Sequence, residues 1–400
     1  MKQEEAAKVA RFGRRKVRPC VLVFDNKQHV RTFLMEALED LGFVTCECGQ
    51  VRDLSTTLDA RLPDLVVLGL SGGGIEAGET LQLLTMKAFD GKVLLLGPRI
   101  SSTVAAVYEL GEAQGLAMLP LLETPFRLED LRNSVAALLP SQAPSNPPID
   151  VAEALSEGWV ELWYQPQIDT STLSLSGAEA LIRIRHPSWG VVPPAYFIPD
   201  DSDPHCAALS EFVVRRAIET WRYFVAQHGH IDIAINLPIS FLRNSEPVGN
   251  LCRQMPDHPA FDGLIVEING AEVIRDLELV KNLARQLRFH KIAISIDDLG
   301  AEWPSLMEIK DFPFGEIKVD KKFVTGCADD RLKQVVCHRI LELADSYGSR
   351  TVAEGVETRA DFLAVREMGF NRVQGFLFGK PMVAKKFARM MLGRPPTLPQ

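Results

Sequence analysis

The chain has 400 residues, 46% of them hydrophobic and 24% charged, with a formal net charge of -8. That length can bury two or three separate cores, and that charge excludes a dedicated nucleic-acid binder, which carries a basic face. Seven cysteines at positions 20, 46, 48, 206, 252, 327 and 337 form no CxxC pair, so neither a zinc site nor a disulfide framework is indicated and a reducing compartment fits. The start, Met1-Lys-Gln-Glu-Glu5, lacks the apolar core of a signal peptide, and no apolar run reaches membrane-spanning length. A cytoplasmic protein with no membrane contact is expected.

Residues 1–18 form a polar tail carrying Arg11, Arg14, Arg15, Lys16 and Arg18, a solvated terminus. From Pro19 a regular alternation begins. Cys20–Phe24, Phe43–Cys48, Leu65–Leu68, Val93–Leu96 and Leu116–Leu119 read as short apolar strands. Between and after them, Val30–Leu41, Leu54–Leu62, Val104–Leu110 and Leu128–Leu139 carry helical spacing. Cys46 and Cys48, two apart on a strand, face one side and read as packing. Five strands alternating with helices over residues 19–139 predict a doubly wound parallel sheet, whose ligand face is the carboxyl ends of its strands. Pro140–Pro148 is rich in Pro and Ser, which sets a linker over 140–150.

A second alternation runs over 151–395. Its strands are Val160–Tyr164, Ser176–Arg185, Ile231–Asn236, Leu264–Ile268, Ile292–Asp298, Glu316–Asp320, Thr351–Glu354 and Val373–Gly375, with helices between most of them. Eight strands in about 250 residues predict a TIM-type (β/α)8 barrel, so the whole chain is α/β. Barrels gather the polar residues at their strand ends around one mouth. Here those ends carry Glu179, Asn236, Glu267, Asp297, Asp298, Lys318, Glu354 and Gln374. Adjacent carboxylates such as Asp297 and Asp298 repel each other at the end of an apolar strand, and a hard divalent cation relieves that repulsion. A single strand-end carboxylate is usually a helix cap, but eight polar residues at the ends of seven successive strands are not. Two ions about 4 Å apart suit phosphodiester hydrolysis. Lys318 can offset charge on the attacked phosphate and Glu354 can take the proton of the water.

The first half resembles a response-regulator receiver domain over nearly all its length. Where that family carries acidic residues after its first strand, this chain reads Asp25-Asn26. The phosphoacceptor position falls on Gly69, the hydroxyl position on Gly97, and the Lys of Lys-Pro on Thr124 before Pro125. The resemblance therefore implies a receiver-like domain with no phosphoacceptor, used for docking, either in a homo-oligomer or with a protein partner.

The second half resembles EAL domains, the cyclic di-GMP phosphodiesterase family, across about 155–390. The resemblance rests on Tyr164-Gln165-Pro166, Glu179-Ala180-Leu181 with Arg183, His186-Pro187, Asn236, Asp297-Asp298, Lys318-Val-Asp320, Glu354-Gly-Val-Glu357 and Gln374-Gly375. It implies that Glu179, Asn236, Glu267 and Asp297 hold a first Mg2+ or Mn2+, and that Asp297 and Asp298 serve a second. Lys318 and Glu354 then handle the nucleophilic water, while Gln165, Arg183, Asp320, Glu357 and Gln374 contact or support the nucleotide. Cyclic di-GMP would be opened to linear pGpG. Two departures stand out. Glu267-Ile-Asn-Gly270 lacks the second Glu of the family's Glu-Ile-Thr-Glu. The loop after Asp298 carries Glu302 where the family has Gly, then Pro304. Weakened support of this kind lowers metal affinity or activity by about 10–100-fold. The expectation is a slowed phosphodiesterase, and the alternative is an impaired domain that binds cyclic di-GMP as a sensor.

Overall fold

The structure, a computed structural model, describes residues 18–70, 74–98, 101–139, 149–198, 203–228, 231–300, 303–307 and 313–392. Proximity of Cα atoms divides the chain into two compact units, Met1–Asp150 with Ile184–Tyr196, and Val151–Arg183 with Phe197–Gln400. No helix among the described residues is long and apolar enough to cross a membrane.

In the first unit, strands β1 (Cys20–Phe24), β2 (Val44–Cys48), β3 (Leu65–Gly69), β4 (Lys92–Gly97) and β5 (Ala117–Met118) form a parallel sheet in the order β2-β1-β3-β4-β5. Because a strand sends successive side chains to opposite faces, its unbroken apolar runs feed two cores. Leu22, Phe24, Val66, Leu68, Val93 and Leu95 pack one face against helices Val51–Arg61 and Gly74–Met86. Val21, Val23, Leu65, Val67, Leu94 and Leu96 pack the other against helices Gln28–Asp40 and Leu128–Ser134. This is the doubly wound sheet that the alternation predicts. Cys48 lies in the first core and Cys46 packs against it. The expected fifth strand is split. Pro120 cannot donate to a ladder, so the pairing breaks after Met118 and resumes as β6 (Leu122–Glu123), also parallel to β4.

The second unit is a closed barrel. Its wall runs β7 (Val160–Asp169), β8 (Leu175–His186), then, past the short strand β9 (Gly190–Val192) that falls within the Ile184–Tyr196 part of the first unit, β10 (Asp232–Asn236), β11 (Leu264–Asn269), β12 (Ile292–Leu299), β13 (Glu316–Val319), β14 (Arg350–Ala353) and β15 (Arg372–Gln374). Pairing of β7 with β8 completes the ring. Strands β8 and β10 to β15 pair in parallel. This is the TIM-type (β/α)8 barrel that the alternation predicts, with one particular at β7, which runs antiparallel to β15. Only residues 170–174 separate β7 from β8, too few for a crossover of about a dozen residues. Asp169 Oδ1 closes that turn by accepting the backbone N–H groups of Ser171 (3.0 Å) and Thr172 (2.8 Å). A short strand β16 (Met382–Val383) pairs antiparallel with the first part of β7, opposite Trp163 and Tyr164. Pro166 falls between that pairing and the one with β15, where no ladder donor is required.

Candidate active site

Alternation along the barrel strands points every second side chain inward, and these inward positions are polar at two heights. The lower group holds Asp232, Ser295, Glu316, Arg350 and Arg372. Arg372 and Arg350 donate to Asp232 Oδ2 at 2.6 and 3.2 Å. Ser295 donates to Glu316 Oε1 at 3.3 Å, and Glu316 lies 3.7 Å from Arg372 and 3.8 Å from Arg350. Two acids meet two bases, so this layer is balanced.

The upper group, at the carboxyl ends of the strands, is not. Lys318, 1% exposed, points its Nζ at Glu354 (2.7 Å), Asp297 (2.9 Å), Glu267 (3.0 Å) and Glu179 (3.3 Å). An ammonium has three protons, so four carboxyl groups cannot all be satisfied. Glu267 Oε1 and Asp297 Oδ1 are accordingly buried without a hydrogen bond of good geometry, although both lie within ion-pair distance of Nζ. Asn236 Nδ2 donates to Glu179 Oε1 (2.9 Å) and Glu267 Oε2 (3.1 Å), and Gln374 Nε2 donates to Glu179 Oε2 and to Gln165 Oε1 (3.1 Å). Gln167, which the sequence reading passed over, is fully buried and donates to Gln374 Oε1 at 3.1 Å. Its signal was available, since it shares an inward face with Gln165 two residues earlier.

Titration follows this imbalance. Burial pushes the Glu267 carboxyl well above its usual range, and repulsion from Glu179, Asp297 and Glu354 adds to it. Glu354 is also pushed well up, by burial first and then by Asp297 and Glu179 against the pull of Lys318. Burial opposes charge on Glu179 too, but Lys318 and the donors of Gln374 and Asn236 prevail and hold it below the carboxylate range. Burial likewise opposes charge on Lys318, yet the four carboxyl groups, Asp297 foremost, keep it protonated far into alkaline pH.

Asp298 joins this mouth through a break in strand geometry. Neighbouring residues on a regular strand point to opposite faces. Between Ile296 and Leu299 the register of β12 against β13 shifts, and Asp298 adopts a left-handed φ of 53°. Asp tolerates that region better than most residues, and a bulge re-aims a side chain. Carboxylate oxygens of Asp297, Asp298 and Glu354 consequently lie within 4.8 Å of one another. Partial desolvation, then Asp297 and Asp320, raise the Asp298 carboxyl above its usual value. Glu354 itself sits just past β14, in a segment held by Val356 N–H donating to Gln374 O and Leu377 N–H donating to Val356 O, both at 3.1 Å. A Cβ on Gly375 would collide with the Val356 backbone, so only glycine allows these two loops to meet.

Arg183 is half-buried and donates to the Ile182 carbonyl at 2.8 Å. Asp320 caps helix Lys321–Val324 through Lys322 N–H (2.9 Å) and pairs with the Lys322 ammonium (2.7 Å). Glu357 is exposed. Gln165 also donates to the Gly379 carbonyl at 3.2 Å, so both ends of its amide are engaged. Gly270 is buried, and a Cβ there would come within 3.3 Å of the Asp297 carbonyl oxygen. Glu302 lies outside the described residues.

A closed barrel with an acid-rich mouth at its carboxyl-terminal rim defines a class of α/β proteins whose chemistry sits on the strand ends. The family model described as EAL domain matches residues 150–381, and the chain belongs to that family. Among curated relatives, the cyclic di-GMP phosphodiesterase PA2567 of Pseudomonas aeruginosa is 29% identical over 78% of this chain and 55% of its own length. The cyclic di-GMP phosphodiesterase RocR of the same organism is 28% identical over 85% of this chain and 86% of its own. The chain spans about half or less of the length of the first curated relatives it matches. The solved structure of the PaMucR phosphodiesterase in complex with c-di-GMP is 30% identical, with a TM-score of 0.55 over 60% of this chain and 98% of that one.

Proposed function

We propose that this protein hydrolyses cyclic di-GMP to linear pGpG with the help of divalent cations held at the barrel mouth. The carrying observation is the charge imbalance of the upper layer. Four carboxyl groups, those of Glu179, Glu267, Asp297 and Glu354, share one ammonium in ion-pair contact, that of Lys318, and the Asp298 carboxylate lies within 4.8 Å of those of Asp297 and Glu354. Two of their oxygens are buried without hydrogen bonds. Hard oxygen donors in excess of local positive charge fit Mg2+ or Mn2+. Glu179, Asn236, Glu267 and Asp297 would hold one ion, and Asp297 with Asp298 a second. When bound, such ions polarise a phosphodiester and lower the pKa of water. The chain's own residues do the rest. Glu354 accepts a proton from the attacking water. Lys318 stays charged and offsets the charge that gathers at the reacting phosphate. Gln374 and Asn236 fix the Glu179 carboxylate from two sides. Arg183, Glu357 and Asp320 would contact or support the guanine and phosphate groups.

The test is purified protein with Mg2+ or Mn2+ and cyclic di-GMP, with pGpG and bound nucleotide both followed. Glu179→Ala or Asp297→Ala should abolish metal-dependent turnover. Parent-rate hydrolysis by both variants would misassign the site. A second reading, nucleotide binding without cleavage, is favoured by Gly270, which offers no side chain to brace the Asp297–Asp298 bulge. Binding with no pGpG under either metal would establish it. The first unit, in the same proposal, is a receiver-like docking module that takes no phosphoryl group, so acetyl phosphate should leave residues 19–139 unmodified.

A further inference from the structure

In an open parallel sheet, ligands bind at the carboxyl ends of the strands where the strand order reverses. In the first unit that point lies between β1 and β3, and a cavity of about 430 Å³ opens there, lined by Asp25, Val30, Phe33, Leu70, Leu96 and Phe126 among others. We propose that this cavity binds a small, largely apolar molecule through one hydrogen-bond-donating head, such as an amine, which Asp25 accepts.

The described walls are mostly aliphatic and aromatic, with His29 and Thr124 also among them, and the volume falls in the range of small-molecule sites, about 300–1,000 Å³. The polar anchor is Asp25, 1% exposed. Its Oδ1 accepts the Lys27 N–H at 2.7 Å, while its Oδ2 is buried with no hydrogen-bond partner. Leaving a buried carboxyl oxygen unpaired carries its full desolvation penalty, and a donor on a ligand removes that cost. The neighbouring cation does not. Arg31 donates instead to the backbone carbonyls of Asp25 (2.7 Å) and Asn26 (3.3 Å) and to Glu47 (2.9 Å). Gly69 explains how the carboxyl comes to be there. A Cβ at that position would collide with Asp25 Oδ2, so the absence of a side chain at residue 69 is what admits the Asp25 carboxyl to the end of β3. A divalent cation is a poor fit, since the residue after Asp25 is Asn26 and no second acid lines the cavity among the described residues. An anion would be repelled.

The test uses the full chain and two size-matched probes, 2-phenylethylamine and 3-phenylpropionate, followed by ligand-observed NMR and calorimetry. The amine should bind at least about tenfold more tightly than the carboxylate, because only it can make a charge-assisted bond to Asp25. Asp25→Asn keeps an acceptor for Lys27 and should weaken the amine by a similar factor, with unchanged thermal unfolding confirming the fold. The contrast between probes on the parent protein needs no variant. Equal affinity for the two probes, unchanged amine binding by a folded Asp25→Asn protein, or no amine binding at millimolar concentration would overturn the proposal.

Discussion

Gly69 and Asp25 compete for one volume, and that competition can be measured. Gly69→Ala should destabilise the first unit by about 1–3 kcal/mol, the usual cost of forcing atoms into a packed core. In an Asp25→Ala background the same substitution should cost much less, and urea unfolding of the four proteins gives the coupling. Additive costs would mean that the two side chains do not share the space. For the same reason Gly69→Asp should not become phosphorylated by acetyl phosphate, since the restored carboxylate meets an occupied site. At the barrel mouth the decisive residue is Lys318. Lys318→Met leaves four carboxyl groups facing each other without a counter-charge. Breaking a buried ion pair in this way costs about 3–5 kcal/mol. That loss should appear in chelator and shrink on adding Mn2+. A loss indifferent to the metal would make the ring purely structural.

The element that decides the site's geometry is the bulge in β12. Asp298→Asn retains a residue at ease with a φ of 53°, so it should unfold like the parent while metal-dependent turnover falls. Asp298→Val should lose turnover and also about 1–2 kcal/mol of stability, the penalty of a branched residue in left-handed backbone. Equal unfolding of the two variants would mean the bulge relaxes without cost. The carboxylate pair at this position was legible in the sequence, as was its apolar strand. The bulge was not, because strand alternation alone sends Asp297 and Asp298 to opposite faces. The reversed direction of β7 could have been read from the length of segment 170–174, and Gln167 from its spacing to Gln165. Gly270 carried a signal whose local cost only the structure gives. A side chain there presses on the Asp297 carbonyl, so Gly270→Glu would brace the bulge only after displacing it by a few tenths of an ångström.

Across the whole molecule, charge separates two layers of one barrel interior, balanced below and acid-rich above. The raised pKa values of Glu267, Glu354 and Asp298 mean that the folded state holds protons the unfolded chain has already lost. Stability without metal should therefore fall as pH rises above the ordinary carboxylate range. Glu179, whose pKa is lowered, gains its contribution at lower pH and does not alter the sign. Saturating Mn2+ should flatten or reverse the slope, because metal binding favours the deprotonated ligands. Thermal melts in chelator and in Mn2+ across this rise in pH provide the check, and a slope unaffected by metal would count against a cation site. The alternation of apolar runs made both α/β units legible, since each run needs only a strand's length and a neighbour. It could not show which interior charges lack partners, because that depends on strands far apart in sequence.

Strand β7 makes this last point one of folding order. It can form a hairpin with β8 as soon as residue 186 exists, yet its other partners, β15 and β16, lie about two hundred residues later. Until they arrive, β7 keeps one edge of unpaired N–H and C=O groups beside the apolar ring of Tyr164, an invitation to pair with another chain. Closure is thus the slow, non-local step of this barrel. Removing residues 372–392 should leave a chain that collapses and aggregates through β7, even though every acidic residue of the mouth is still present.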